Sequence, residues 1–299
     1  MAAISHWVSA FRLRTLPLAF SCIMMGTFVA AREGFFSWGI LALSLLTTLF
    51  LQILSNLAND YGDSVSGVDN KEREGPSRAV QKGKISAEAM KKSLYVFSGL
   101  SFVSGSTLLI LCFGINSIHT LIFLLIGFGA IAAAIKYTVG SSPYGYAGFG
   151  DLFVLIFFGL VGVLGSHFLH AHHYDQLVVL PALSCGLLAV GVLNVNNIRD
   201  IESDEKAGKK SIPVRIGKPN ALRYHFALIL LSWVLIAIYV VMTYDSTWNL
   251  LFIVTLPFFV LHLWKLVKAE SPKEIDPLLK QLAISTMLFV LSFGLGLLI

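Results

Sequence analysis

Charge is what this 299-residue sequence lacks: Asp, Glu, Lys and Arg together make up 13% of it, where a soluble globular domain carries about 25%. That deficit excludes an ordinary water-soluble fold. Cysteine is scarce too. Cys22, Cys112 and Cys185 each fall inside an apolar run, with neither metal-ligand nor disulfide spacing, so they read as small buried hydrophobes. No convincing cleavage site follows the first apolar run, so a cleaved secretory leader is not expected. Low-complexity tails, interdomain linkers and a soluble domain are also missing, and the chain reads as one unit over 1–299.

What is present is hydrophobic: 56% of the residues, in runs near the roughly 20 residues that cross a bilayer. Nine spans are expected, at 15–31, 36–58, 93–112, 118–135, 151–170, 177–198, 222–243, 248–266 and 280–299. The fold class is therefore an all-α polytopic membrane protein. The net charge of +5 does not point to nucleic acid, because 21 of the 22 Lys and Arg fall on one set of alternate loops and Arg32 alone on the other. The positive-inside rule puts the N-terminus and the loops 59–92, 136–150 and 199–221 in the cytoplasm and the C-terminus outside.

One stretch breaks the apolar pattern: Asn56-Leu-Ala-Asn-Asp60-Tyr-Gly-Asp63-Ser-Val-Ser-Gly-Val-Asp69, at the end of the second run. If the helix continues, Asn56, Asp60 and Asp63 share a face. Charges at such depth are costly and usually functional, and these oxygen donors suit a hard cation such as Mg2+. A second stretch, Asn196-Asn-Ile-Arg-Asp200-Ile-Glu-Ser-Asp204, repeats the Asn-x-x-x-Asp spacing 140 residues on (196 and 200 against 56 and 60). Bases follow each: Arg73, Arg78, Lys82 and Lys84 after the first, Lys209, Lys210 and Arg215 after the second. Acids can hold Mg2+, which bridges diphosphate oxygens, while Lys and Arg take the remaining charge. Two halves of one metal–diphosphate site are expected. The bland alternative is two solvated loops, and the matched pair at matching helix ends outweighs it.

Three further motifs carry the pattern: Arg12-Leu-Arg-Thr-Leu-Pro17, Tyr137-Thr-Val-Gly140 with Pro143-Tyr-Gly-Tyr, and Gly148-Phe-Gly-Asp151. With Gln81-Lys-Gly83, Gly208-Lys209 and the two acidic stretches, they make nearly the whole chain resemble the intramembrane aromatic prenyltransferases of the UbiA superfamily. The Asn-Asp-Tyr-x-Asp form is similar to the branch acting on 1,4-dihydroxy-2-naphthoate in menaquinone synthesis. The general pattern has an acid four residues after the first Asp, where this chain has Ser64; Asp60 is therefore expected to be the principal ligand, ahead of Asp63.

The resemblance implies a nine-helix bundle around a central cavity open to the cytoplasm, in a bacterial cytoplasmic membrane. It implies Mg2+ as cofactor, with polyprenyl diphosphate and 1,4-dihydroxy-2-naphthoate as substrates and membrane lipids around it. The products are demethylmenaquinone, CO2 and diphosphate. Asn56, Asp60, Asp63, Asn196, Asp200 and Asp204 would hold the metal; Lys82, Lys209 and Arg78 would meet the diphosphate, and Arg12 the diphosphate or the acceptor carboxylate. An allylic cation needs aromatic faces and exclusion of water, a role open to Tyr137, while Tyr144 and Tyr146 read as an interfacial belt. Asp151 would orient the acceptor or serve as a base. Arg199 reads as an ion-pair partner of Glu202.

His167, His170, His172 and His173 look like a transition-metal site, but they fall at the opposite end of the fifth span and read as interfacial or solvated. Glycines in spans four, five and nine read as packing residues. The rivals are a 4-hydroxybenzoate prenyltransferase and, from another class, a secondary transporter; against the latter, the acids gather at one face and not at the midplane. The Asp-Gly-x-x-Ala-Arg signature of CDP-alcohol transferases is absent. Prenyl chain length and oligomeric state are not legible.

Overall fold

Backbone N–H and C=O groups cannot stay unpaired in lipid, so each apolar run must close its hydrogen bonds within itself. The structure, a computed structural model, describes residues 3–65 and 79–299. Within them nine helices are long and apolar enough to cross a membrane: α1 (Ile4–Arg32), α2 (Trp38–Val65), α3 (Ala87–Phe113), α4 (Ile118–Lys136), α5 (Gly150–Ala171), α6 (Gln176–Arg199), α7 (Ile212–Met242), α8 (Thr247–Lys268) and α9 (Pro272–Leu298). They match the expected spans one for one. No strand occurs among the described residues.

The helices α1, α3, α7 and α9 begin at residues 4, 87, 212 and 272, well before their apolar runs. Hydropathy marks what lies in lipid, while amphipathic and charged turns beyond it stay helical in water. All four extensions project at the end carrying the Asp-rich stretches. Two of them are broken. In α1, Arg12 takes a left-handed conformation (φ 49°), after which the helix restarts at Leu16 with Pro17 in its first turn, where a missing N–H costs little. In α7 the break is Gly217 (φ 76°, ψ 159°).

The most enclosed helix is α6: 72% of its most apolar stretch is buried, against 11% for α4. It packs against α5, α7 and α9, and α9 in turn against α1 and α8. The main core joins Met25, Leu188, Ile236, Phe259, Phe289 and Phe293, all fully buried. A smaller one, with Leu54, Leu57, Ile85 and Met90, lies where α2 meets α3. Helix α5 meets α6 at Gly159 and Gly186, where an added Cβ would stand 3.0 Å from the other glycine's Cα. Packing glycines thus hold in α5, and in α9, where Gly294 abuts Phe28 and Gly296 the Trp248 carbonyl. The expectation fails in α4: Gly127 and Gly129 face open space, and Gly127 borders the cavity described next. A peripheral helix with Leu121, Leu125 and Phe128 exposed has few neighbours to approach.

Candidate active site

A cavity of about 450 Å³ opens among the helices. Its polar end is lined by Arg12, Asn56, Asn59 and Asp63 on one side and by Asn196, Asn197, Asp200, Asp204 and Lys209 on the other. The two Asp-rich stretches therefore do meet. Farther in, the lining becomes aromatic and aliphatic, with Tyr137, Phe153, Phe157 and Leu169.

The first stretch lies on an unbroken helix, α2 running through Asp63 to Val65. The face it turns to the cavity is Asn56, Asn59 and Asp63, spaced three and four apart, and not the expected Asn56, Asp60 and Asp63. Asp60 is buried beside the lining, its Oδ2 accepting from the Ala79 N–H at 3.1 Å. At about 100° per residue Asn59 and Asp60 flank the Asn56–Asp63 stripe by about 40° on opposite sides, so the rotation of α2 against its neighbours decides which of them meets the cavity. The i, i+3, i+7 spacing of Asn56, Asn59 and Asp63 is as good a helical face as i, i+4, i+7, so spacing alone does not single out Asn59.

Local contacts fix this face. Asn56 donates through Nδ2 to the Phe11 carbonyl (2.9 Å) and to Thr15 Oγ1 (3.3 Å), tying the break in α1 to α2. Thr138 Oγ1 donates to the Ala58 carbonyl at 2.9 Å and to Asn59 Oδ1 at 3.3 Å. That approach requires Gly62, where a Cβ would lie 2.6 Å from the Thr138 carbonyl oxygen. Asp63 is 1% exposed and accepts a short hydrogen bond from the Tyr146 hydroxyl. Lys209 Nζ stands 3.6 Å from Asp63 Oδ1, 3.2 Å from Asp204 Oδ1 and 4.9 Å from the centre of the Tyr146 ring. One ammonium thus bridges the two stretches. Tyr146 belongs to the site and not to an interfacial belt, because Lys210 N–H donates to its carbonyl at 2.8 Å and holds its loop across the cavity mouth.

The second stretch is built differently. Helix α6 stops at Arg199, Asp200 is non-helical (φ −99°, ψ 10°), and a short helix, Ile201–Lys206, carries Asp204. Arg199 is not paired with Glu202, which is exposed. Its buried guanidinium donates to both Asp200 oxygens (2.8 and 2.7 Å), to Asn196 Oδ1 (2.9 Å) and to Asp276 Oδ1 (2.5 Å). Arg14 reaches Asp276 Oδ2 from α1 at 3.0 Å. The break at Asp200 turns the chain so that Arg199 points inward. Nothing in the local sequence of either residue announces Asp276 as the partner.

Tyr137 lines the cavity, its ring edge-on to Tyr144 at 5.3 Å, and Tyr144, also in the lining, stacks on Phe153 at 3.9 Å. Burial, reinforced by the Asp151 carboxylate, pushes the Tyr137 phenol far above its ordinary range, and burial alone raises Tyr144, so both stay protonated. Asp151 accepts from the Tyr224 hydroxyl at 2.9 Å and does not border the cavity. Lys82 is exposed on the 79–85 turn and stands outside the lining. Arg78 lies outside the described residues. Ser211 borders the cavity with its buried Oγ unpartnered among the described residues. The donors at this mouth are carboxylates, carboxamides and a hydroxyl, without His or Cys; that set fits a hard cation such as Mg2+.

Residues 19–298 match the UbiA prenyltransferase family. The chain is 43% identical to the 1,4-dihydroxy-2-naphthoate octaprenyltransferase of Escherichia coli (strain K12), over 97% of this chain and 94% of that one. It is 43% identical to the enzyme of the same description from Haemophilus influenzae, over 99% and 96%. Among solved structures it resembles the apo form of a UbiA homolog from Aeropyrum pernix K1, with a TM-score of 0.68 and 16% identity over 98% of each chain. A UbiA homolog from Archaeoglobus fulgidus bound to GPP and Mg2+ gives a TM-score of 0.66 at 18% identity, over 97% of this chain and 100% of that one.

Proposed function

The chain belongs to the UbiA prenyltransferase family, and from that premise we propose that it transfers a polyprenyl group from polyprenyl diphosphate to 1,4-dihydroxy-2-naphthoate. CO2 and diphosphate are released and demethylmenaquinone is formed. The carrying observation is near-full-length identity of 43% to two enzymes described as acting on that acceptor. The meeting of two oxygen-rich stretches at one cavity mouth supports it. The protein is a multi-pass membrane enzyme, in our reading a single unit over 1–299 in a bacterial cytoplasmic membrane. Its polar mouth faces the cytoplasm, where 21 of 22 basic residues collect.

Asp63, Asp200 and Asp204, with the carboxamide oxygens of Asn56, Asn59 and Asn196, would hold Mg2+. When bound, Mg2+ neutralises charge on the diphosphate as it leaves. Lys209 is drawn between Asp63 and Asp204, the place where positive charge is needed, and it turns to the diphosphate as that group binds. Arg12, at the break in α1, binds either the diphosphate or the acceptor carboxylate, and Ser211 offers the diphosphate a hydroxyl. Lys82 and Arg78 are further partners of the diphosphate. Tyr137 and Tyr144, kept neutral by burial, present ring faces to the allylic cation without supplying a competing phenolate. Asp60 anchors the 79–85 turn, and Asp151 aligns the helix behind Tyr137 through Tyr224.

The test is a side-by-side assay of purified protein with Mg2+ and a polyprenyl diphosphate. Release of CO2 and diphosphate with 1,4-dihydroxy-2-naphthoate, lost in EDTA, is expected. Turnover of 4-hydroxybenzoate alone, or flux across vesicles without diphosphate release, would overturn the proposal.

A further inference from the structure

The four histidines at the far end of the bundle part into two pairs. His170 is spent: its Nδ1 takes the Ser37 N–H at 3.2 Å, and its Nε2 lies 3.3 Å from Thr27 Oγ1. His172 packs edge-on against Phe113. The other two converge on a residue the sequence never grouped with them, Glu33 at the end of α1. His167 Nε2 lies 3.1 Å from both Glu33 oxygens, and His173 Nε2 lies 3.2 Å from Oε2. One ligand atom from each residue falls within 4.8 Å of the others. The turn that allows this is His172 in the left-handed region (φ 60°), which folds His173 back over His167, ring centroids 5.6 Å apart at 82°.

The hydrogen-bond pattern suits a cation. His173 Nδ1 is 3.1 Å from the Ala171 carbonyl, an acceptor only, so that nitrogen carries the proton. In the neutral ring Nε2 then directs a lone pair, not an N–H, at the carboxylate. The neighbouring Arg32 is committed to Asp245 at 2.7 Å. A single metal ion serves all three groups at once. The two histidine-to-carboxylate separations, 3.1 and 3.2 Å, are a few tenths of an ångström short of the roughly 3.3–3.6 Å between tetrahedral ligands about 2.0–2.2 Å from zinc, a distance small side-chain rotations supply. The Nδ1–H to carbonyl bond of His173 is the support metal-bound imidazoles characteristically have. We propose that Glu33, His167 and His173 form a second metal site, for a divalent cation of zinc's class, clamping the end of α1 to the end of α5 on the side away from the Asp-rich mouth. Imidazole ligands distinguish it from the all-oxygen mouth, and it does not depend on the reaction assigned there.

The experiment is a Zn2+ titration by calorimetry of the full chain in nanodiscs with excess Mg2+ present, repeated with Co2+ to read its visible bands. About one Zn2+ per chain is expected, with affinity falling at least tenfold in Glu33→Gln and in His173→Ala. Both side chains are partly exposed, at 25% and 48%, so these variants keep the fold where His167→Ala could lose it. His172→Asn, which tolerates the left-handed turn, and Asp63→Asn should bind as the parent does. Uptake unchanged in Glu33→Gln and His173→Ala, or lost in Asp63→Asn, would overturn the site. So would Zn2+ binding in the parent no tighter than millimolar, which would leave a plain ion pair.

Discussion

The two Asn-x-x-x-Asp stretches share a spacing and differ in almost everything else. The first rides an uninterrupted helix, whose rotation against its neighbours turns Asn56, Asn59 and Asp63 to the cavity and Asp60 to the Ala79 N–H. The second breaks at Asp200, so that Arg199 can turn inward and clasp Asn196, Asp200 and Asp276. One half gains its order from helix periodicity and a close-packed glycine, the other from a buried cation. Equal spacing in sequence therefore does not mean equal placement, and equivalent positions should respond unequally to substitution.

The widest gap is expected in activity. Asp63→Asn should lower kcat by about 10²–10³-fold, the scale of removing one electrostatic partner of a developing charge. Asp60→Asn should cost less, acting through the 79–85 turn. Equal losses in a steady-state prenyl-transfer assay would refute the helical-face assignment. Next comes Arg199→Ala, which takes the guanidinium from both Asp200 oxygens and leaves Asp276 its contact with Arg14. Breaking a buried pair costs about 3–5 kcal/mol, trimmed here because Asp276 is 27% exposed; the thermal midpoint in detergent should fall, and one that stays put would contradict the clasp. Smaller again is Gly62→Ala, whose new methyl meets the Thr138 carbonyl and should cost about 1–3 kcal/mol by overpacking. The position 140 residues on, exposed Glu202, should accept alanine within about 0.5 kcal/mol, read in the same melt.

The smallest effect lies at the other end of the bundle and concerns pH. The Arg32 hydrogen bond holds the Asp245 carboxyl below its ordinary range, so its contribution is present above the unfolded pKa and is lost as pH falls through the folded one. Comparing Asp245→Asn with the parent should show their melting points converging on acidification. A gap that widens instead would reverse the sign.

Much of this was legible in the chain. All nine spans and both halves of the polar mouth could be read from it, as could Lys209, Tyr137 and Arg12 in the lining. Tyr146 was not, because a tyrosine near a membrane boundary looks the same whether it faces headgroups or folds back onto Asp63. The histidines misled in the opposite sense: His167 and His170 are buried where interfacial or solvated side chains were expected, since the residues that cover them come from α1 and the segment following it.

By itself the sequence determined the bundle, its handful of polar helix ends and the side on which its bases collect. These follow from the solvent each segment must meet and from periodicity within one helix, both local properties. Only the tertiary structure decided which oxygens face the cavity, that Arg199 answers to Asp276, and that Glu33 stands between His167 and His173. Those choices depend on how helices rotate against one another and where loops fold back, and residues far apart in the chain set both.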